Sequence, residues 1–196
     1  MILAKKSLQM AAFNSFVSLP LLVSGSFLLN KWELPYSFAI EDLPDIKTLM
    51  LNIIFCMICE DFGFHFSHRF LHWKAIYPYI HKLHHTYVTT VGIAGWYSHP
   101  IEFMLGAVLP GSLGGMILGT KMHYCTALLW TLMRIGETID GHSGYEFSWS
   151  PYRLIPFSSS ASYHDFHHSH NVGNYSSMFS FWDTIFGQNK VYHLHV

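Results

Sequence analysis

The sequence predicts an all-α integral membrane protein, in which about four transmembrane helices form two hairpins and carry a histidine-rich helical cap at one end. Three observations predict this fold. Hydrophobic residues make up 51% of the chain and charged residues only 12%, and the mean hydropathy is +0.24. Four long apolar segments can be marked along the chain. Histidines cluster after the second and fourth segments.

The composition also limits the class of protein. The 196 residues are predicted to form one domain, 1–196, with a histidine-rich region over about residues 60–190. The formal net charge is −1, so the excess of Lys and Arg that binds nucleic acid phosphates is absent, and no nucleic acid partner is expected. Histidine is the unusual residue, because its 15 copies outnumber the 12 acidic residues and the 11 Lys and Arg.

The first apolar segment is near the lower limit of roughly 17 residues for a membrane-spanning helix. The connection around Gly119 to Met122 is so short that the third and fourth segments are expected to return to the same face. The alternative is that some segments, especially the third and fourth, are buried core helices or re-entrant. The four segments run Phe13–Leu29, Ile46–Cys59, Ile101–Leu118 and Tyr124–Ile139.

An even number of crossings separates the two sets of histidines, which are therefore expected on one side of the membrane. The connection between the first two segments is rich in acidic residues, whereas the histidine side carries most of the Lys and Arg. Because positive charge marks the cytoplasmic side, the cap is predicted to face the cytosol. The basic residues of that side are Lys5, Lys6, Arg69, Lys74, Lys82 and Arg153.

Histidine spacings carry the strongest functional signal. Residues three or four apart share one face of a helix, so His68 and His72 can bind one ion. His-x-x-His-His occurs twice, and its two adjacent imidazoles can serve two ions. A lone histidine is more often structural, but three such clusters in one short chain are hard to explain by packing. With His142, the candidate set is His68, His72, His81, His84, His85, His142, His164, His167 and His168.

Nine nitrogen ligands exceed the capacity of one ion and suit two sites with four or five each, so the cap is predicted to hold a dimetal site. Nitrogen-rich ligation suits Fe, Cu, Zn or Ni. Zinc normally occupies a closed four-ligand site, which favours a pair of redox ions, although the ligand type alone leaves two zinc ions open.

The order of these boxes resembles the membrane di-iron fatty acid hydroxylase and sterol desaturase superfamily. The resemblance runs from about residue 46 to 188. It implies that the nine histidines bind two iron ions, for which zinc may substitute. The motifs that look most like the branch acting on sterol 4-methyl groups are Glu60-Asp61, His99-Pro100-Ile101-Glu102, the stretch from Glu137 to Tyr145, Gly173-Asn174-Tyr175, Trp182-Asp183 and Phe186-Gly187.

Three further residues are candidates around this set. His99 is a tenth ligand, a group that supports the ligands, or simply the residue that starts a helix before Pro100. Asp140 and Asp165 look like acceptors that orient ring nitrogens, with turn or cap residues as the alternative. The histidines expected to lie outside the ligand set are His65, His123, His170, His193 and His195.

The resemblance implies an oxidoreductase of sterol biosynthesis in the endoplasmic reticulum membrane. The 4-methyl group of a sterol would be oxidised to alcohol, aldehyde and carboxylate with O2. The sequence contains no G-x-G-x-x-G motif, so electrons are expected from a b-type cytochrome and its NAD(P)H-dependent reductase. The rivals are a sterol desaturase, a sterol side-chain hydroxylase, a fatty acid 2-hydroxylase, a membrane zinc or copper carrier, and a soluble histidine-rich protein.

Four smaller expectations complete the sequence analysis. The chain begins close to the first histidine box, so an N-terminal apolar segment of the family is expected to be absent. The final residues show no dilysine retrieval signal. Gly111, Gly115 and Gly119 are expected to let a neighbouring helix approach, within the chain or in a dimer. Asn174 starts a formal glycosylation motif, which should stay unmodified on a cytosolic face.

Overall fold

The computed structural model describes residues 2–21, 23–24 and 35–196. These residues are helical, with no strand among them beyond the isolated bridges Ser37–His123 and Ser158–Phe179, and the predicted all-α class is confirmed. The helices are α1 (Ile2–Phe13), α2 (Ile46–Leu71), α3 (Pro100–Lys121), α4 (Tyr124–Gly141), α5 (Ala161–His170), α6 (Phe181–Phe186) and α7 (Lys190–His195).

The two longest helices begin at clear caps. The Asp45 carboxylate accepts the Thr48 N–H at the start of α2, which then continues for 26 residues. At a rise of 1.5 Å per residue, α2 is about 39 Å long, enough to cross a bilayer. Pro100 opens α3 because its ring fits the first turn, where no N–H partner is needed. A π-helical stretch, Phe103–Val108, lies within α3.

Helices α2 and α3 are antiparallel. A Cβ at Gly114 would lie 2.7 Å from the Cα of Cys56, one at Gly63 lies 3.3 Å from Pro110, and one at Gly106 lies 3.4 Å from Leu71. As the residue numbers of the contacts rise along α2, those of their partners on α3 fall, so the two helices run in opposite directions. Because of this direction, the C-terminal end of α2 and the N-terminal end of α3 meet at the same end of the molecule.

Helix α4 packs against both α2 and α3, and we call these three helices the helix layer. The indole N–H of Trp130 donates to the Gly111 carbonyl at 2.7 Å, and the Arg134 guanidinium pairs with Glu60 at 3.0 Å. The C-terminal end of α4 thus lies beside the C-terminal end of α2. At the opposite end, Ser37 pairs with the Met122 carbonyl and the Tyr124 N–H. The histidines lie at the first of these two ends.

Two helices, Ile46–Leu71 and Pro100–Lys121, are long and apolar enough to cross a membrane. Their outer faces expose large apolar side chains such as Ile54, Ile58, Met116 and Ile117. The fourth predicted segment forms a helix of 18 residues that carries three charged groups, Arg134, Glu137 and Asp140.

The first predicted segment, Phe13–Leu29, lies partly outside the described residues. Its described part continues a helix that begins at Ile2, earlier than the predicted start. The number of four crossings and the cytosolic orientation of the cap stay predictions.

Within the chain, two of the three glycines predicted to admit a neighbouring helix have nothing near the missing Cβ, and the dimer alternative stays a prediction. A Cβ at Gly111 would face open space. Gly119, where the α-helical part of α3 changes to a final 3-10 turn, has a positive φ of 56° and nothing near its missing Cβ. Only Gly115 makes a close approach, to the Tyr36 hydroxyl at 2.6 Å. The contact with the neighbouring helix is made by Gly114, one residue earlier, because that face of α3 points at α2.

Gly114→Ala is expected to reduce the free energy of unfolding by about 1–3 kcal/mol, since the new methyl group would meet the Cys56 backbone, which cannot move without separating the helices. Thermal unfolding of the purified protein in detergent measures the change. Gly111→Ala is the matched control and should be neutral, or stabilising by up to about 1 kcal/mol, because alanine favours helices over glycine. An equal loss in both variants would contradict this account of the packing.

Candidate metal centre

The nine histidines predicted as ligands lie in two groups. In each group, one side-chain nitrogen from every member lies within 4.8 Å of all the others. We call them the five-histidine group and the four-histidine group. The first contains His68, His72, His81, His85 and His167, and the second contains His84, His142, His164 and His168.

Four separate pieces of the chain supply these side chains. His68 lies in the last turn of α2, and His72 caps that helix. His142 caps the C-terminus of α4. Helix α5 is mostly buried and carries three of the nine histidines. The remaining three lie in a short 3-10 helix, His81–Thr86, where the sequence spacing predicted an α-helical arrangement.

Adjacent histidines contribute to different groups. His84 joins the four-histidine group while its neighbour His85 joins the other, and His168 and His167 divide in the same way. Neighbouring side chains on a helix point about 100° apart, so one His-His pair faces two centres. The two-ion interpretation of the repeated His-x-x-His-His pattern therefore has a direct geometric basis.

Five of the nine imidazoles have their Nδ1 atom held by an acceptor. A carbonyl or carboxylate oxygen can only accept, so in each case Nδ1 carries the proton and Nε2 carries the lone pair. The pairs are His68 with Tyr175 O at 2.9 Å, His167 with Gly173 O at 2.6 Å, His168 with Tyr87 O at 2.9 Å, His142 with Thr138 O at 2.8 Å and His81 with Glu102 Oε1 at 2.9 Å.

The Nε2 atoms converge within each group. In the five-histidine group, Nε2 of His72 lies 3.1 Å from that of His167 and 2.9 Å from that of His81. In the four-histidine group, Nε2 of His164 lies 2.9 Å from that of His142 and 3.2 Å from that of His168. Each group thus directs several nitrogen atoms at one small volume.

Burial keeps these rings uncharged. It lowers the pKa of His142 to about 4, against the opposing effect of its bond to the Thr138 carbonyl. Burial, followed by the positive charges that other histidines would carry, lowers the pKa of His168 to about 2. The same two causes lower the pKa of His84 and His164 well below the usual 6.5. The neutral imidazole is the form that binds metal.

The side chains fit a pair of transition metal ions. His72 and His164 each lie about 3 Å from the Nε2 lone pairs of two rings that are fixed at Nδ1. A neutral imidazole has only one proton, so it can donate to one of these two neighbours and leaves lone pairs facing each other in a buried space unless a cation lies between them. Protons are a poor choice of cation here, since burial disfavours the charged rings. Four or five imidazole nitrogens per group match the preference of Fe, Cu, Zn or Ni for nitrogen ligands.

Three buried acidic side chains, Glu60, Asp61 and Glu102, lie near this end of the helices, and sequence reasoning assigned them no role. Of the three, Glu102 contacts a histidine of the two groups. Glu102 accepts the N–H of His81 and has its second oxygen free of protein partners. Glu60 pairs with Arg134 and accepts the Ser177 hydroxyl at 3.0 Å. Asp61 accepts the Phe179 N–H at 2.9 Å. The sequence signal was the Glu60-Asp61 and His-Pro-Ile-Glu motifs, but their spacing alone does not say that Glu102 contacts His81 while Glu60 and Asp61 contact other partners.

The three additional candidates have other partners. The Nδ1 atom of His99 accepts the Ile101 N–H at 3.2 Å, so this ring caps α3. Asp165 accepts the N–H and the hydroxyl of Thr90, both at 2.8 Å. Asp140 pairs with Arg153. None of the three belongs to either group as defined over the described residues, and the acceptors that orient the rings are carbonyl oxygens and Glu102.

The five histidines expected outside the set are also outside both groups. His65 is fully buried, with its Nδ1 3.5 Å from Asp183. His123 caps the start of α4, and the ring of His170 stacks on Phe166 with centroids 4.1 Å apart. His193 and His195 lie in the exposed C-terminal helix.

Asn174 is also accounted for by the fold. It is fully buried, and its amide donates to the Tyr163 carbonyl at 3.0 Å. Since a glycan needs an exposed acceptor, the folded chain cannot be modified there.

A cavity of about 80 Å³ lies against both histidine groups. Its lining includes histidines of both groups, the acidic side chains of Glu102 and Glu137, and the guanidinium of Arg134. Phe64, Leu71 and Phe103 close part of the wall with apolar surface. The arrangement places nitrogens that could bind metal beside a small, partly apolar space.

The sequence is similar to those of known enzymes. Residues 53–188 match the family described as fatty acid hydroxylase. The chain is 39% identical to methylsterol monooxygenase 1 of Gallus gallus over 91% of the chain and 59% of that protein. It is 38% identical to methylsterol monooxygenase 1 of Rattus norvegicus over 96% of the chain and 63% of that protein.

A plant relative, methylsterol monooxygenase 2-1 of Arabidopsis thaliana, is 36% identical over 92% of the chain and 70% of its own length. The chain spans about three fifths of the length of the two vertebrate relatives. No solved structure matches the chain. The resemblance seen in the histidine boxes is confirmed, and the chain belongs to the fatty acid hydroxylase family.

Proposed function

We propose that this chain forms the catalytic domain, 1–196, of a membrane di-iron monooxygenase that oxidises the 4-methyl group of sterols during sterol biosynthesis. Each oxidation of a methyl C–H bond to an alcohol uses one O2, two electrons and two protons and releases one water. Further rounds give the aldehyde and the carboxylate. The observation that carries the proposal is the convergence of nine buried imidazoles into two groups, in a chain 37–39% identical to vertebrate proteins named methylsterol monooxygenase.

The five-histidine group would hold one iron and the four-histidine group the other. When bound, the pair supplies activation of O2 for insertion into an unactivated C–H bond. The protein supplies the rest. Acceptors hold the Nδ1 proton of five of the nine rings, so the Nε2 lone pairs of those rings keep their direction. Phe64, Leu71 and Phe103 exclude water from the space beside the histidines.

The cavity supports a substrate that presents only one end to the metals. Its volume of about 80 Å³ is below the roughly 300 Å³ of a typical small-molecule site, so it admits a methyl group and the adjoining ring edge. The remainder of a sterol would lie in lipid against the apolar outer faces of α2 and α3. A membrane-dissolved sterol could then approach without leaving the bilayer.

The proposal includes the cellular setting. The protein would be a multi-pass protein of the endoplasmic reticulum membrane, with the histidine end in the cytosol. There it would receive electrons from a b-type cytochrome and an NAD(P)H-dependent reductase. The basic residues predicted for the same side support this orientation. Other reactions of the family, such as desaturation or fatty acid 2-hydroxylation, use shared ligands and are outcomes that the product assay below distinguishes.

Cells that lack the protein should accumulate 4,4-dimethylsterols, because the first oxidation of the 4-methyl group would be blocked. Sterol extraction and mass spectrometry provide the measurement, and re-expression of the wild-type chain should restore the profile. Unchanged 4-methylsterols together with altered 2-hydroxy fatty acids would reject the sterol substrate and favour the fatty acid reaction.

His84→Ala should lower the metal content from about two ions per chain to about one and abolish oxygen-dependent turnover, since it removes one of four nitrogens in its group. Elemental analysis and an oxygen-consumption assay measure the two effects. His195→Ala removes an imidazole from the exposed C-terminal helix and should change neither. Full turnover by His84→Ala, or an inactive His195→Ala protein, would show that the ligand set is wrong.

Acid should destabilise the metal-free protein. The pKa of His142 falls from 6.5 in the unfolded chain to about 4 in the folded chain, and that of His85 falls to about 3. The unfolded state therefore binds more protons below pH 6.5, so stability is complete above that pH and is lost as the pH falls toward 4. Thermal unfolding of chelator-treated protein at pH 7.5 and pH 5 should show the lower midpoint at pH 5. The opposite order would contradict neutral buried rings.

A further inference from the structure

We propose that Asp183 is a positioning residue for the five-histidine group, acting on His68 through a single peptide unit. The inference rests on the proposed metal ligation. It assigns a role to a buried carboxylate that lies outside the cavity and outside both histidine groups. The segment between them is residues 173–177, which we call the carbonyl loop.

The carbonyl loop supplies the acceptors for two members of the five-histidine group. The Tyr175 carbonyl accepts the Nδ1 proton of His68 at 2.9 Å, and the Gly173 carbonyl accepts that of His167 at 2.6 Å. These bonds fix which nitrogen carries the proton and where the lone pair of each ring points. The position of the loop therefore sets the direction of two of the five ligands.

Asp183 holds this loop from the side away from the histidines. It lies in the first turn of α6 and is fully buried. One carboxylate oxygen accepts the Tyr175 N–H at 3.1 Å, and the other accepts the Ser176 N–H at 2.9 Å. The second oxygen also accepts the Tyr163 hydroxyl at 2.8 Å. Three donors on one buried carboxylate fix its orientation and that of the loop.

One peptide unit connects the carboxylate to the ligand. The Tyr175 carbonyl and the Ser176 N–H belong to the same planar group. Its N–H donates to Asp183 and its oxygen accepts from His68. A negative charge at the N–H end polarises the peptide and makes its oxygen a stronger acceptor, which raises the basicity of the His68 nitrogen that faces the centre.

The two histidine groups differ in this respect. In the five-histidine group, His68 is reached through the loop by the Asp183 carboxylate, and the Nδ1 atom of His81 lies 2.9 Å from the Glu102 carboxyl group. In the four-histidine group, the recorded Nδ1 acceptors are the neutral carbonyls of Thr138 and Tyr87. Loss of the Asp183 charge should therefore weaken only one of the two sites.

The loop itself has little freedom to adopt another path. Gly173 has a positive φ of 60°, and a Cβ there would overlap the Gln188 carbonyl. The Asn174 N–H donates to the same carbonyl at 3.2 Å. The Gln188 N–H in turn donates to the Asp183 carbonyl at 2.7 Å. Asp183 thus holds the loop at two places: its carboxylate binds the N–H groups of Tyr175 and Ser176, and its backbone carbonyl binds Gln188, which contacts Gly173 and Asn174.

Cobalt binding to the detergent-purified, chelator-stripped full chain tests the proposal. Asp183→Asn keeps the shape but turns one oxygen into a donor that faces N–H or O–H groups. It is combined with His164→Ala, which leaves the four-histidine group three nitrogens, or with the paired change His72→Ala and His81→Ala, which leaves the five-histidine group three and is called the His72→Ala background below. Co²⁺ affinity is followed by visible absorption and elemental analysis.

In the His164→Ala background, Asp183→Asn should weaken Co²⁺ binding about 10–100-fold, the usual effect of removing a group that supports a ligand. In the His72→Ala background, the change should stay within about threefold. Equal weakening in both backgrounds would overturn the proposal in favour of a general structural role, and unchanged binding in both would overturn it outright.

Tyr163→Phe is the matched control. It removes one donor from the same carboxylate and leaves both bonds to the loop, so Co²⁺ affinity should change by less than about threefold in both backgrounds. Gly173→Ala is a second variant for the case in which Asp183→Asn does not fold. It displaces the loop and should weaken the five-histidine group only, and full affinity in that variant would overturn the proposal.

The binding assay is independent of the reaction. Selective loss of Co²⁺ with no sterol oxidation by the iron-loaded wild type would retain the role of Asp183 and reject the proposed function. Sterol oxidation without a selective loss would do the reverse.

Discussion

The structure depends on the orientation of uncharged imidazoles in a space closed to water. Each ring that is fixed at Nδ1 by an acceptor must present its lone pair at Nε2. The fold places His72 and His164 about 3 Å from two such rings each, with one proton to share between two lone pairs. Such an arrangement is unfavourable without a cation and favourable with one. Helix packing therefore stabilises an arrangement of nitrogen atoms that a bound cation would stabilise further.

The helix layer provides the rigid support for this arrangement. Close approach of α2 and α3 at Gly114 and Cys56 fixes the position of one helix along the axis of the other. In this position Glu102, at the start of α3, lies within hydrogen-bond distance of His81. The Arg134 pair with Glu60 fixes α4 in the same way and so brings His142 to the second group. Buried ion pairs of this kind specify one arrangement of helices more than they add stability.

Local spacing predicted much of the site because it reports which side chains share a helix face. His68 and His72 are four residues apart on α2, and His164 and His168 are four apart on α5, so each pair reaches one group without help from the rest of the fold. His195 fell outside these spacings, and it lies on a terminal helix outside both groups. The spacing rule failed for the glycines of α3, because spacing alone does not say which face of a helix meets its neighbour.

The sequence by itself determined the helical class, the apolar segments and the identity of the histidines that converge, since these follow from hydrophobic composition and from the 3.6-residue period. Only the tertiary structure decided how the nine divide into five and four, because that division depends on which ends of separate helices meet. It also decided that carbonyl oxygens of Gly173, Tyr87 and Thr138 orient the rings. A backbone carbonyl exists at every residue, so no sequence pattern marks the ones that accept.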